Sequence, residues 1–113
     1  MSREEIRKYH QDGHAVVTLS GDFDLANSDR LHELLHGELD LSPRHLVLDV
    51  TGVTFMDSTA LGVILGARNQ AAEKDKTLAL VGASDAVARL LHITQIDRVI
   101  PTFSDVESAI SAS

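Results

Sequence analysis

The stretch HELLH, from His32 to His36, places two imidazoles four residues apart with a glutamate beside the first. Helical zinc peptidases bind their metal with this spacing, and the glutamate acts as general base. A catalytic zinc also needs a third protein ligand and an open coordination position within a cleft. Only Glu38, Asp40 or His45 could supply that ligand, so the two histidines alone do not establish a metal site.

The helix that carries these histidines has a simpler interpretation. Its apolar stripe consists of Leu31, Leu34 and Leu35. These leucines are expected to face the core, which leaves His32, Glu33 and His36 on the opposite or flanking side, in contact with solvent. We therefore expect no metal and no cofactor here. A small zinc hydrolase is the alternative, which metal analysis of the purified protein would test.

A second candidate lies in residues 51–62, TGVTFMDSTALG, between an apolar strand and a long helix. In sheets built from alternating strands and helices, functional groups collect where strands end and helices begin. Asp57 and Ser58 occupy this junction, and either side chain could cap the free N–H groups of the helix. Helix capping alone would explain both residues, so their types and positions do not by themselves assign a function.

The strands expected around this loop are short, valine-rich apolar runs. They cover residues 15–19, 46–50 and 77–81, with a weaker run at 98–100. Ser20 and Gly21 are expected to end the first run, and Pro101 the last. Because nearly unbroken apolar strands alternate with helices, we expect at least one parallel pair. The predicted fold class is α/β, a small mixed sheet with about four helices packed on it.

Four helices are expected between and after these strands. The first has Asn27 as its N-cap and stops at Gly37, and the third follows the N-cap Ser84. The second carries a long apolar stripe formed by Ala60, Val63, Ile64, Ala67 and Ala71. The fourth is short and begins at a capping box in residues 104–107.

The composition limits the functional class. The 113 residues fit one domain, residues 1–113, and the 43% apolar content is enough for one core. A net charge of −7 disfavours nucleic-acid binding, which depends on Lys and Arg neutralising phosphates. No cysteine is present, which excludes disulfides and thiolate metal sites. Because neither a membrane span nor a signal peptide is recognisable, we expect a cytoplasmic protein without membrane contact.

Three longer stretches together resemble the STAS domain family, in particular the anti-sigma factor antagonists of bacteria. They are LSGDFDLANSDRLHELL (residues 19–35), HLVLDVTGVTFMDSTALGVILGARN (45–69) and TLALVGASDAVARLLHITQIDRV (77–99). The first is similar to the family's first strand, acidic turn and first helix. The second is similar to its central strand, Asp-Ser loop and second helix, and the third to its third strand, third helix and closing strand. The resemblance covers almost the whole chain.

The resemblance implies a partner-switching protein rather than an enzyme. In that family, the serine of the Asp-Ser pair is phosphorylated by an anti-sigma factor that is itself an ATP-dependent serine kinase. The unmodified protein binds this anti-sigma factor and so releases a sigma factor for transcription. A separate serine phosphatase reverses the modification.

Carried over residue by residue, the resemblance makes Ser58 the phosphoacceptor and Asp57 its neighbour in the recognition loop. Asp24, in GDFD, matches the acidic position of the first turn and would contribute to the partner surface. Thr59 opens the pair Thr-Ala, which replaces the commoner Ser-Gly and could offer a second hydroxyl. Gln95 stands where a glycine usually follows the third helix, which would cost ~1 kcal/mol if its backbone is left-handed.

The long helix carries more apolar residues than one core stripe requires. Leu61 and Leu65 lie beside the predicted core face, and Gly62 and Gly66 leave a shallow strip where another chain can approach. Part of this strip, together with Asp24 and the Asp-Ser loop, is expected to contact the partner. Core packing of the two leucines is the alternative.

A second functional alternative is a STAS subunit of another signalling or transport assembly. In such a subunit Ser58 need not be modified. An intact phosphoacceptor favours the antagonist, and incubation with the cognate kinase and ATP would distinguish the two.

Overall fold

The computed structural model describes residues 4–41 and 45–112. These residues form one five-stranded sheet and four α-helices, with 3₁₀ turns at Leu25–Asn27 and Ile96–Arg98. The strands are β1 (Glu5–Gln11), β2 (His14–Phe23), β3 (His45–Met56), β4 (Thr77–Val81) and β5 (Thr102–Phe103). The helices are α1 (Ser28–Asp40), α2 (Ser58–Glu73), α3 (Asp85–Ile93) and α4 (Val106–Ser111). The predicted α/β class with a mixed sheet is confirmed.

The sheet is parallel except at one edge. Its order is β1-β2-β3-β4-β5, with β1 antiparallel to β2 and the remaining neighbours parallel. The buried side chains of α1, α2 and α3 pack in one large cluster with residues of β2, β3 and β4. On the other face, α4 packs over a small cluster formed by Val16, Val47, Val81 and Ala109. Burial on both faces explains why the central strands are nearly continuous apolar runs.

The sequence prediction missed β1, because most of its side chains are polar and exposed. The available signal was the pair Asp12-Gly13. Both residues have positive φ, 51° and 79°, as the tightest turn between antiparallel strands requires. Asp-Gly between two β-forming runs therefore indicates a hairpin even where one strand lacks an apolar pattern.

Two strands are longer than predicted at the end that carries the Asp-Ser loop. Ser20 and Gly21 do not end β2, since the chain remains paired with β3 as far as Phe23, which is fully buried. The register shifts here, and Gly21 has a φ of 91°, which is typical of a glycine at a β-bulge. β3 correspondingly continues to Met56.

The strand predicted at residues 98–100 is wrong. Ile96–Arg98 is a 3₁₀ turn, and Ile100 is fully buried as a core residue. Pairing with β4 begins only at Pro101, whose carbonyl accepts the Leu80 N–H at 2.9 Å, and β5 follows. The apolar run therefore reflects core packing rather than strand pairing.

Two predicted helix ends are also corrected. Gly37 lies inside α1, which continues to Asp40 because Leu39 extends the buried stripe by another turn. α4 begins one residue later than the predicted box at Ser104, since the carboxylate of Asp105 caps the helix by accepting the Ser108 N–H at 2.8 Å. This hydrogen bond lowers the pKa of Asp105.

Three other predicted positions are confirmed. α1 follows Asn27, although the side chain of this residue turns back to accept the Asp24 N–H rather than capping the helix. Ser84 caps α3 through the Val87 N–H at 3.3 Å. Gln95 has a φ of 63° and is left-handed, a conformation that costs about 1 kcal/mol in a residue with a side chain.

A buried ion pair ties β1 to α1. The Glu38 side chain is 3% exposed, and Lys8 Nζ lies 3.2 Å from its Oε2. His10 Nε2 lies 3.9 Å from Oε1 on the same carboxylate. A buried carboxylate is costly unless a cation compensates it, so Lys8 fixes the edge strand on the helix.

Replacing Lys8 with Met should lower the free energy of unfolding by about 2 kcal/mol at pH 7, because the buried Glu38 carboxylate loses the ammonium group that compensates it. Arg7→Met is the matched control in the same strand. Arg7 pairs with Glu5 at the surface, where the side chains are 74% and 56% exposed, so its loss should have little effect. Urea unfolding of both variants measures the difference, and equal effects would contradict this role of Glu38.

Candidate functional site

Asp57 joins three segments at the carboxyl end of the central strands. Its N–H donates to the Phe23 carbonyl at 3.1 Å, which links the ends of β2 and β3. One carboxylate oxygen accepts the Ala60 N–H at 2.9 Å and caps α2. The other oxygen accepts the Leu25 N–H at 3.2 Å. Asp57, rather than Ser58, is therefore the N-cap, and it also fixes the loop that follows β2.

Ser58 is the first residue of α2, and its side chain is exposed. Its hydroxyl makes no hydrogen bond to any part of the chain that the structure describes. The first N–H groups of a helix have no intrahelical partner and carry partial positive charge. The hydroxyl is thus free to react, in an environment that favours a negatively charged product. Thr59, which follows it, is half-buried.

Asp24 lies in the loop that Asp57 holds. Its carboxylate accepts the Ala26 N–H at 2.9 Å, and its own N–H donates to Asn27 Oδ1 at 3.0 Å. The Asn27 amide in turn donates to the Asp22 carbonyl at 2.8 Å. This reciprocal capping box makes the turn rigid, and Asp24 remains half-buried within it.

The structure therefore brings the turn that contains Asp24 next to the Asp-Ser loop, as the resemblance implies. The link is Leu25, whose N–H is bound by Asp57. Sequence reasoning missed Leu25 and Phe55, which are 73% and 52% exposed although both are large and apolar. A large apolar residue within an otherwise polar turn was the available signal for Leu25.

The first turns of α2 divide into core and surface. Leu61 is 2% exposed and packs in the main core, so the prediction that its side chain lies at a contact surface is corrected. Leu65 is half-buried. Gly62 and Gly66 are exposed, and a Cβ atom added at either position would meet nothing within 4 Å. The shallow strip predicted on α2 is thus present, whereas Leu61 lies in the core.

The two histidines of HELLH lie on a more polar side of α1 than the leucines. Leu31 and Leu35 are fully buried, whereas His32 is exposed and His36 half-buried. The two imidazole rings stack with their centroids 4.0 Å apart. Partial burial, followed by the neighbouring His32, lowers the pKa of His36.

Two of the three candidate third ligands are paired with lysines in the structure. Glu38 is paired with Lys8, and Asp40 accepts a hydrogen bond from Lys74 that lowers its pKa. Among residues 4–41 and 45–112, no group of three or more His, Asp or Glu side chains is arranged to hold a metal ion.

Comparison with known proteins identifies the family to which this architecture belongs. A sequence profile for the STAS domain matches residues 5–109. The chain belongs to the STAS domain family. A relative named anti-sigma F factor antagonist, from Paenibacillus polymyxa, is 29% identical over 108 residues, 95% of this chain and 92% of the relative. The anti-sigma-B factor antagonist of Staphylococcus aureus is 32% identical over 84 residues, 74% of this chain and 78% of the relative.

The STAS fold is also supported by structural comparison. The crystal structure of an anti-sigma factor antagonist from Mycobacterium paratuberculosis matches this STAS domain with a TM-score of 0.90 and 24% sequence identity. The match covers 97% of this chain and 93% of that one. In the parts of the chain that are described, no helix is both long enough and apolar enough to cross a membrane.

The two roles of Asp57 in this STAS domain can be separated by substitution. Asp57→Asn keeps one acceptor oxygen and a good N-cap residue, so α2 should stay capped while the Leu25 N–H loses its acceptor. Asp57→Ala removes both bonds and should cost about 1 kcal/mol through loss of the cap alone. Hydrogen exchange measured by NMR should then be faster at Leu25 in both variants, but faster at Ala60 only in Asp57→Ala.

Asp105→Asn is the matched control for this experiment. Asp105 also caps a helix, but among the described residues its carboxylate is hydrogen-bonded only within its own turn, to Ser108. Its replacement should leave the exchange rate at Leu25 unchanged. If Asp57→Asn also leaves that rate unchanged, Asp57 does not hold the loop.

Proposed function

We propose that this STAS domain is an anti-sigma factor antagonist in which phosphorylation of Ser58 switches partner binding off. The observation that carries the proposal is the exposed hydroxyl of Ser58, which has no hydrogen-bond partner among the described residues and stands at the start of a helix that Asp57 fixes in place. The names of the relatives from Paenibacillus polymyxa and Staphylococcus aureus support the same role.

The proposed partner is an anti-sigma factor with serine kinase activity. It transfers the γ-phosphoryl group of ATP to the Ser58 oxygen, and a serine phosphatase removes it. In this scheme the STAS domain supplies the acceptor and the docking surface, needs no cofactor and is not itself an enzyme. It acts in the cytoplasm through a protein interface rather than through nucleic acid or a membrane, in keeping with its net charge of −7.

The docking surface consists of the rigid turn at Asp24, the Asp57–Ser58–Thr59 loop and the strip at Gly62 and Leu65. Hydrogen bonds hold the first two in fixed relation through Leu25. A surface that is already ordered loses little conformational entropy on binding, which favours affinity. Leu61 packs in the core and is not part of this surface.

Phosphorylation would act on the interface rather than on the fold. A phosphoserine adds about −1.5 to −2 charges at pH 7. The free N–H groups and the positive end of α2 stabilise that charge, which offsets repulsion from the Asp57 carboxylate. A partner surface shaped for a neutral hydroxyl would instead have to bury the dianion without a compensating group, which is costly.

Substitution of Ser58 tests this switch. Ser58→Ala should still bind the anti-sigma factor but should not be phosphorylated by it. Ser58→Asp should bind at least about tenfold more weakly, a difference of about 1.4 kcal/mol. Melting temperatures of unmodified and phosphorylated protein should differ by less than about 4 °C, which corresponds to less than 1 kcal/mol for a domain of this size.

The measurements are calorimetric titration, kinase assays with labelled ATP, and thermal melting. Thr59→Val is the control for the position of the acceptor, because it removes the neighbouring hydroxyl and the phosphate should still map to Ser58. A label on Ser58→Ala that maps to Thr59 would show that the acceptor assignment is wrong. Full affinity in the phosphorylated protein would favour a STAS subunit of another assembly, without a phospho-switch.

The glycine strip gives a second test. Gly62→Ala should raise the free energy of unfolding by about 0.5–1 kcal/mol, since alanine favours the helix and its Cβ meets no neighbour. The added methyl group should nevertheless weaken anti-sigma binding if the partner contacts the strip. Gly37→Ala in α1 is the matched control, because that glycine is also exposed within a helix and free of neighbours.

Urea unfolding should therefore show the same gain in stability for the two glycine variants. Titration with the anti-sigma factor should show weaker binding for Gly62→Ala than for Gly37→Ala. Equal affinity for Gly62→Ala and Gly37→Ala would remove the strip from the docking surface.

A further inference from the structure

β3 extends beyond β4 at the end that carries Ser58. The pairing of these strands stops at Asp49 and Val81. Gly82 then turns the chain away with a φ of 74°, and a Cβ atom there would lie 1.9 Å from the Thr51 hydroxyl oxygen, so only glycine fits. Residues 52–56 of β3 consequently pair with β2 on one side only.

α3 lies across the unpaired side of this overhang and leaves a groove, here called the α3 groove. Its cavity volume is about 260 Å³. Its apolar walls are formed by Phe55, Met56, Val87, Leu90 and Ile93. Phe55 and Ile93 are 52% and 68% exposed, so two large apolar side chains face solvent across one groove. Clustered exposure of this kind is typical of a site of interaction.

Arg89 is the charged residue of the α3 groove. It is exposed and makes no ion pair with any described residue, although Asp85 lies one turn earlier on the same helix. The chain as a whole carries a net charge of −7. An unpaired guanidinium beside apolar walls is complementary to a carboxylate placed next to an apolar side chain.

The α3 groove adjoins the phosphorylation loop. Phe55 and Met56 directly precede Asp57 and Ser58 in the chain. Asp57 also binds the backbone N–H of Leu25 beside the same loop, and the Leu25 side chain is a third exposed apolar group. A protein that covers Ser58 therefore meets exposed apolar side chains from both neighbouring segments.

We propose that the α3 groove receives a segment of the anti-sigma factor that places one or two large apolar side chains next to a carboxylate paired with Arg89. This inference rests on the proposed function and names a second contact for the same partner. The cavity is smaller than the roughly 300–1,000 Å³ of small-molecule sites, and it lies open at the surface. It therefore suits side chains of a docked protein better than a free ligand.

The test compares substitutions inside and outside the α3 groove, with the anti-sigma kinase that phosphorylates Ser58 as the probe. Arg89→Glu and Ile93→Ser should each weaken binding at least tenfold, with unchanged melting temperatures because both side chains are exposed. Arg98→Glu is the control for charge, since Arg98 is exposed, unpaired among the described residues and outside the groove. Leu41→Ser is the control for an exposed apolar residue, 49% exposed and also outside the groove.

Exchanging the charges of Arg89 and its carboxylate partner on the kinase tests whether these two groups contact each other. An Asp or Glu of the kinase changed to Lys should restore binding to Arg89→Glu and weaken binding to the unchanged chain. If the groove variants bind normally while Ser58→Asp does not, the groove inference is wrong and the proposed function stands. If the unchanged chain binds no such kinase, both fail.

Self-association is checked in the same preparations by sedimentation. A dimer that dissociates on Ile93→Ser would assign the groove to a second copy of this chain and overturn the inference.

Discussion

The carboxylate of Asp57 is the interaction on which the functional end of this domain depends. Asp57 follows the end of β3, and its carboxylate caps α2 at Ala60 and binds the loop after β2 at Leu25. Its backbone N–H also donates to the Phe23 carbonyl at the end of β2. Each bond is worth only about 1 kcal/mol, or somewhat more where the acceptor is charged. Their importance is geometric, because three segments that share one anchor cannot move independently. The orientation of Ser58 follows from this anchor.

In the proposed switch, the anchor beside the serine would let this position accept two charge states. Asp57 uses the Ala60 N–H, yet the N–H groups of Ser58 and Thr59 remain without an intrahelical partner, as in the first turn of any helix. A phosphate on Ser58 can interact with these groups while the cap stays in place. In this proposal the domain would tolerate a dianion that a complementary protein surface would not, and the binding switch would need no change of fold.

The sequence predicted those parts of the structure whose cause is local. A capped apolar stripe is enough to predict α2. The left-handed backbone of Gln95 was anticipated only because the STAS resemblance places a glycine there. Errors arose where tertiary context decides. Leu39 carries α1 past Gly37, and Ile100 is buried as a core residue rather than paired as a strand. An edge strand such as β1 buries too little to show an apolar pattern.

At the candidate site, too, local features could be predicted from the sequence and features that depend on tertiary contacts could not. Asp57 and Ser58 were recognisable because a strand, a turn and a helix meet at them in sequence. The groove was not, since it depends on a difference in length between two strands. The position of Leu25 beside the loop was not either, since it depends on a bond across 32 residues.

That difference in length connects the two halves of the proposed surface. Had β4 continued beside β3, its side chains would have filled the space under α3, and Phe55 would have been covered. Gly82 prevents this by turning the chain where Thr51 leaves no room for a side chain. The overhang therefore carries the Ser58 loop past the end of β4 and opens the groove beside it. Exposure of the apolar walls is a structural consequence of where β4 ends.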